Sequence, residues 1–145
     1  MMPIHSLPKW EPGRQGTGYF KMKLFEFSPE IIIKIRSFIF TFFAIDCYLL
    51  KYPKNSYVEP HLDKVNTNHY REHHRLNIVL RQASKGGVFC KIKSVTEHLE
   101  EGVKISEKVY PFHGKVNKFR ADKELHGVTR ITEGTRYVLS IGWVR

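Results

Sequence analysis

Apolar and polar residues alternate with a period of two along most of this chain. Glycine, proline and short polar clusters interrupt the alternation at short intervals. GYFKMKLFEF sets Phe20, Met22 and Leu24 against Lys21 and Lys23, the pattern of a strand with one buried face. FAIDCYLLKY, ending at Tyr52, reads as another strand. RLNIVLRQ is a strand, ASKGGVFCKIK a turn into a strand, and GVKISEKVYPF a strand around Tyr110. KVNKFRA, HGVTRI and TRYVLSIGWVR supply the last three, the final two separated by the turn TEG. One segment breaks the period. Ser28-Pro29-Glu30 has a helix-start signature, and Ile31, Ile32, Ile35, Phe38 and Ile39 then share a helical face, although their β-branched content pulls toward strand. Residues 1–18 hold Pro3, Pro8, Pro12, Gly13, Gly16 and Gly18 and read as an irregular arm. The expectation is a mainly β, single domain over 1–145. It is a sandwich or barrel of antiparallel strands with an N-terminal arm and one short helix.

Composition narrows this only slightly. With 41% hydrophobic and 13% aromatic residues, a packed core is expected and wholesale disorder is not. Cys47 and Cys90 both lie in apolar runs and read as buried, reduced thiols rather than a disulfide framework. The formal charge of +10 favours an anionic partner: nucleic acid, an acidic peptide or a small dianion. The basic residues are spread and form no tail-like run. The stretch 31–50 is the membrane candidate, but Lys34, Arg36 and Asp46 are costly at mid-bilayer, so it is expected in the core. The N-terminus has no apolar segment of signal-peptide type, which makes an intracellular location the expectation. GRQGTG has the wrong glycine order for a phosphate loop and no following Lys-Ser/Thr.

The candidate chemistry lies in EPHLDKVNTNHYREHHRLNIVL, where two metal patterns overlap. His61 and Asp63 form H-x-D; at the end of a strand both side chains point to one face. An imidazole and a carboxylate on one face make two thirds of a facial triad for Fe(II). His69, Glu72 and His73 form H-x-x-E-H, which needs a helix and a distant acidic ligand to become a zinc hydrolase. Little chain is left for such a scaffold, so His69, His73 and His74 are expected in a polar loop at a barrel mouth. H-x-D finds support further along. His126 begins a strand, and Arg136 follows ten residues later, after the turn at Glu133-Gly134. A returning strand would set Arg136 beside His126, with a guanidinium ready for one end of a diacid. By parity Arg136 shares a face with Val138 and Ser140, the less apolar face, while Trp143 reads as core.

This arrangement resembles the Fe(II)/2-oxoglutarate-dependent dioxygenases, prolyl-hydroxylase-like branch. The resemblance covers about residues 46 to 145. It rests on H-x-D, the distal His126, Gly134 and Arg136, a Trp near the end, YPKNSYVEPHLD before the first ligand, and HRLNIVLRQASKGGVF with its Gly-Gly turn. It implies a double-stranded β-helix, or jelly roll. It implies His61, Asp63 and His126 as iron ligands, Arg136 on the distal carboxylate of 2-oxoglutarate, and Tyr52 and Asn77 as further co-substrate contacts. Fe(II), 2-oxoglutarate and O2 would be required, with ascorbate stimulatory. The expected activity is hydroxylation of an unactivated C–H on a protein or peptide side chain. A nucleic-acid-modifying oxygenase is the alternative, kept open by the +10 charge and by the spacing of Arg130 and Arg136. A jelly-roll binding module without chemistry is the third reading.

Overall fold

A computed structural model of the protein describes residues 8–27, 44–63 and 72–144. The helix expected from Ser28 onward and most of the polar loop around His69 lie outside these residues. Among the described residues there are ten strands and no helix. β1 (Glu11–Pro12), β2 (Phe20–Phe27), β3 (Ala44–Tyr52), β10 (Arg136–Val144), β5 (His73–Arg81) and β8 (Val116–Arg120) form one six-stranded sheet in the order β1-β2-β3-β10-β5-β8. β4 (Val58–His61), β9 (Leu125–Val128), β6 (Phe89–Leu99) and β7 (Gly102–Phe112) form a second, in the order β4-β9-β6-β7. All pairings are antiparallel. From β3 onward the chain steps from one sheet to the other at every connection except the β6–β7 hairpin. This is the two-sheet, jelly-roll architecture expected from the strand pattern.

The core lies between the sheets. Tyr52, Phe119 and Val138 from the large sheet meet Val58, Phe89 and Val128 from the small one, with Ala121 and Ile131 fully buried among them. Along β10 the parity reading holds: Arg136, Val138 and Ser140 point inward and are buried, while Tyr137, Leu139 and Ile141 alternate outward.

Four expectations are corrected. In β2 Lys21, rather than an apolar residue, takes the inner side. Lys21 pairs with Leu50 and lines the cavity, while Phe20 and Leu24 are exposed and the register shifts between Lys23 and Phe25. The arm is partly regular, because Glu11 and Pro12 pair with β2 and Gly13 N–H donates to the Tyr19 carbonyl. His73 and His74 begin strand β5 rather than ending a loop, since the ladders to β10 and β8 extend that far. Trp143 is half-buried on the outward side of β10, stacked on His74 at 5.6 Å.

Candidate metal and co-substrate site

The strands bring three separated residues together at one end of the sandwich. β4 and β9 pair so that His61 faces His126, and Asp63 follows two residues after His61. Asp63 is anchored by its backbone N–H, which donates to the Ala121 carbonyl at 2.8 Å. His61 Nε2 lies 3.3 Å from Asp63 Oδ1, and His126 Nε2 lies 3.6 Å from Asp63 Oδ2. One ligand atom from each of the three falls within 4.8 Å of the others, close enough to share one ion.

The two imidazoles are oriented from behind. His61 Nδ1 is 2.8 Å from the Glu59 carbonyl oxygen, and His126 Nδ1 is 2.7 Å from that of Glu124. A carbonyl only accepts, so each Nδ1 carries the hydrogen and donates it. That leaves both Nε2 atoms turned toward Asp63 as ligands, the backing a metal-bound histidine requires. Burial alone would push the Asp63 carboxyl up, but hydrogen bonds and charge from the His126 and His61 rings hold it well below the usual carboxylate range. Two imidazole nitrogens, whose Nε2 protons a metal would replace, and one fixed anion would suit a divalent transition ion such as Fe(II) and leave positions open for other ligands.

The triad opens into a cavity of about 480 Å³ between the sheets. Asn77 on β5, expected from strand parity, lines it, and its Oδ1 accepts from the Ser140 hydroxyl at 2.7 Å. Tyr52 lines it too, stacked on Tyr19 with ring centroids 5.2 Å apart. Burial raises the Tyr52 phenol pKa, and the Arg136 guanidinium offsets this only in part, so the hydroxyl keeps its proton and can donate.

Arg136 is not on a strand beside His126. The segment after β9 is drawn into the core by Ile131, which is 0% exposed and exchanges backbone hydrogen bonds with Asn55 and Ser56. The link becomes a crossover, and Arg136 lands in the opposite sheet, paired with Tyr52. Its guanidinium lies 5.3 Å from the Tyr52 ring centroid, and Tyr52 rather than Arg136 forms that end of the cavity wall. Arg136 is 4% exposed, and burial lowers its pKa. Its Nε donates to Gln82 Oε1 at 3.3 Å, and no carboxylate pairs with it among the described residues.

Sequence reasoning passed over Arg75 as a site residue. It shares a face of β5 with Asn77 and lines the cavity. It donates to both Asp46 oxygens, at 3.0 and 3.2 Å, and to the Ser140 hydroxyl at 2.8 Å. Gly142 lies between Asp46 and Arg75 on β10, where a Cβ would sit 2.5 Å from the guanidinium. The bridge therefore crosses β10 only because residue 142 has no side chain. Arg75 has the same strand parity as Asn77, but nothing local in the sequence pointed to Asp46, which is 29 residues away.

No family model matches the sequence, and no curated protein matches it. Solved structures do share its fold. A Pseudomonas putida prolyl-4-hydroxylase is 18% identical with a TM-score of 0.54, over 94% of this chain and 76% of that one. A 2OG-Fe(II) oxygenase family oxidoreductase from Burkholderia pseudomallei is 16% identical with a TM-score of 0.56, over 93% and 72%. The viral collagen prolyl hydroxylase of Paramecium Bursaria Chlorella virus-1, solved as a 2OG complex, is 14% identical with a TM-score of 0.52, over 88% and 79%. Identities this low establish shared architecture, and function has to be argued from the site.

Proposed function

We propose that this protein is an Fe(II)- and 2-oxoglutarate-dependent dioxygenase that hydroxylates an unactivated C–H bond. The observation that carries the reading is a convergent His-Asp-His triad on the cavity and, behind the Tyr52 wall of that cavity, a buried guanidinium with no carboxylate partner among the described residues. A buried cation without a counter-charge is expensive, so Arg136 is best explained by an anionic ligand that arrives from the cavity. Arg75 is the rival anchor, but Asp46 already neutralises it. A carboxylate therefore gains more from Arg136. A diacid whose other end reaches the triad satisfies both ends, as 2-oxoglutarate does.

When bound, iron and co-substrate supply the oxidation: substrate C–H, O2 and 2-oxoglutarate become C–OH, succinate and CO2. The chain's own work is positional. His61, Asp63 and His126 hold the ion, with both rings fixed from behind by backbone carbonyls. Tyr52 turns aside to admit the distal carboxylate to Arg136 and donates its hydroxyl hydrogen to it. Asn77, whose carbonyl oxygen is occupied by Ser140, keeps its amide hydrogens for the co-substrate. The similarity in fold to prolyl hydroxylases favours a peptide side chain as substrate, and the charge of the chain favours nucleic acid.

The test is Asp63→Ala. Wild-type protein with Fe(II), ascorbate and O2 should convert 2-oxoglutarate to succinate, and the variant should bind no iron and make none. Equal succinate from both proteins would remove the triad from the mechanism.

A further inference from the structure

We propose that the substrate is single-stranded nucleic acid, bound along the lysine- and tyrosine-bearing inner face of a ribbon that runs outward from the metal triad on β6 and β7. The chemistry done to that substrate, and the choice of single strand over duplex, rest on the dioxygenase reading; the binding of a polyanion to the ribbon does not.

β6 and β7 pair over their whole length, from Phe89↔Phe112 to Leu99↔Gly102. β9 supports β6 only from Phe89 to Ile92, so beyond Ile92 the two strands have no further strand beside β6. The ribbon leaves the sandwich at the triad, because Lys91 lies opposite His126. Register sorts its two faces, since directly opposed residues point the same way. Phe89, His126 and Val128 line the cavity, which identifies the inner face. That face also carries Lys91, Lys93, Lys104 and Lys108, which are all the lysines of the ribbon, and one acid, Glu97, opposite Lys104. The outer face carries Ile92, Val103, Ile105 and Val109, no lysine and one acid, Glu107, while Glu100 and Glu101 form the turn between the strands.

Lys91 is paired with Glu124 at 3.2 Å, whereas Lys93, Lys104 and Lys108 have no ion pair among the described residues. Lys93 Nζ instead lies 5.7 Å from the ring centroid of Tyr110, which is 47% exposed on the same face. A similar pair stands on the large sheet: Lys21 Nζ lies 5.6 Å from the Tyr48 ring, and both residues line the cavity. Short links hold β4 near β3 and β7 near β8, so β2 and the ribbon border opposite ends of the opening. Cations along a path with exposed rings beside them match a charged backbone carrying flat groups. An acidic peptide would use the lysines but gain nothing from the rings. A duplex would keep its C–H bonds stacked away from a triad set inside a cavity, so the strand must be single or locally opened.

The experiment is fluorescence anisotropy with the full-length protein across a salt series. The probes are an oligothymidylate of about 12 nucleotides, inside the ~4–16 nucleotide range of such sites, a duplex of equal length, and a poly-glutamate peptide of equal charge. The oligothymidylate should bind tightest. Lys93→Gln with Lys108→Gln should lower the salt slope by about 1.4, at roughly 0.7 per lost phosphate contact. Lys54→Gln with Lys85→Gln removes the same charge from turns at the far end of the sandwich and should leave the slope unchanged. Tyr110→Ala should weaken binding about 5- to 150-fold without changing the slope, and Tyr110→Phe should restore it. Matched thermal melts show that each variant is folded. The proposal is overturned if poly-glutamate or duplex binds as tightly as the single strand, or if the ribbon variant behaves like the control variant. Iron-dependent succinate formation, measured on the same preparation, separates the two readings. Its absence with intact oligonucleotide binding sinks the oxygenase and leaves the ribbon, and the reverse result sinks only this proposal.

Discussion

Replacing Gly127 with alanine should disable the metal site through the backbone, without touching a ligand. Gly127 follows His126 on β9 and lies against β4. A Cβ there would sit 2.6 Å from the Val58 carbonyl oxygen, 3.1 Å from Pro60 N and 3.3 Å from the Glu59 carbonyl carbon. All three are backbone atoms of β4, so no side chain can swing away. Bringing the oxygen contact out to even 3.0 Å parts the two strands by about 0.4 Å. β4 ends in His61 and leads to Asp63, while β9 carries His126, so the strain opens the triad along its middle. Metal–ligand distances tolerate only about 0.2 Å. Metal affinity should fall roughly 10- to 100-fold, the range seen when ligands lose their orientation. Overpacking should cost about 1–3 kcal/mol of stability, or about 2–4 °C of melting temperature per kcal/mol for a chain of this size. The assay is anaerobic Fe(II) titration against a competing chelator, paired with a thermal melt. Gly16→Ala is the control. It meets nothing within 4 Å but has φ of +79°, so it should lose stability through left-handed backbone and keep its metal affinity. If Gly127→Ala binds iron within about twofold of wild type, close backbone approach does not set the triad.

Two further outcomes follow from the charges. Arg136→Met should melt at a higher temperature than wild type without ligand, because it removes a buried cation that has no counter-charge among the described residues; it should also lose about 2–5 kcal/mol of 2-oxoglutarate affinity. Melting curves with and without the co-substrate check both signs, and an unchanged ligand shift would move the anchor elsewhere. The Glu124 carboxyl is pushed up by burial, but the Arg120 N–H and the Lys91 ammonium outweigh that and hold it below its ordinary 4.5. A depressed carboxylate stabilises above its unfolded value and loses that contribution as pH falls through the folded one. Glu124→Gln should therefore be less stable than wild type in urea at pH 7, and the gap should close once the pH is well below 4.5; a constant gap would refute the linkage.

The strands were legible because alternation reports directly on which side of a sheet is buried, and the ladders confirm it for β3, β5 and β10. H-x-D and His126 were legible because a facial triad needs only residue types at strand parity and a partner strand. What remained hidden depends on contacts between distant segments. The Arg75–Asp46 bridge needs a missing side chain at Gly142, and a single glycine before a tryptophan carries no local signal of that role. Arg136 was placed on the correct face but beside the wrong strand, since Ile131 diverts the chain across the core. Lys21 was read with Lys23 as the solvent side of β2, because a pattern cannot distinguish a water-facing residue such as Lys23 from one that borders a polar cavity.

The charges also imply an order of events on the proposed reading. Asp46 cancels Arg75, and a divalent ion would meet Asp63, so of the buried cations around the site Arg136 is the one with no carboxylate partner among the described residues, while Arg14 and Lys21 line the cavity nearer solvent. Tyr52 stands between it and the opening, so a carboxylate reaches Arg136 only when that ring turns aside, and a polymer does not. The lysines of the ribbon stand outside the triad, where a long anion reaches them without entering the cavity. A dianion short enough to span from triad to Arg136 is therefore sorted from a polyanion that can reach only the rim. The small ligand must enter first, because a strand lying over the triad closes the route to Arg136. Each anion is thus directed by the depth of the cation it meets.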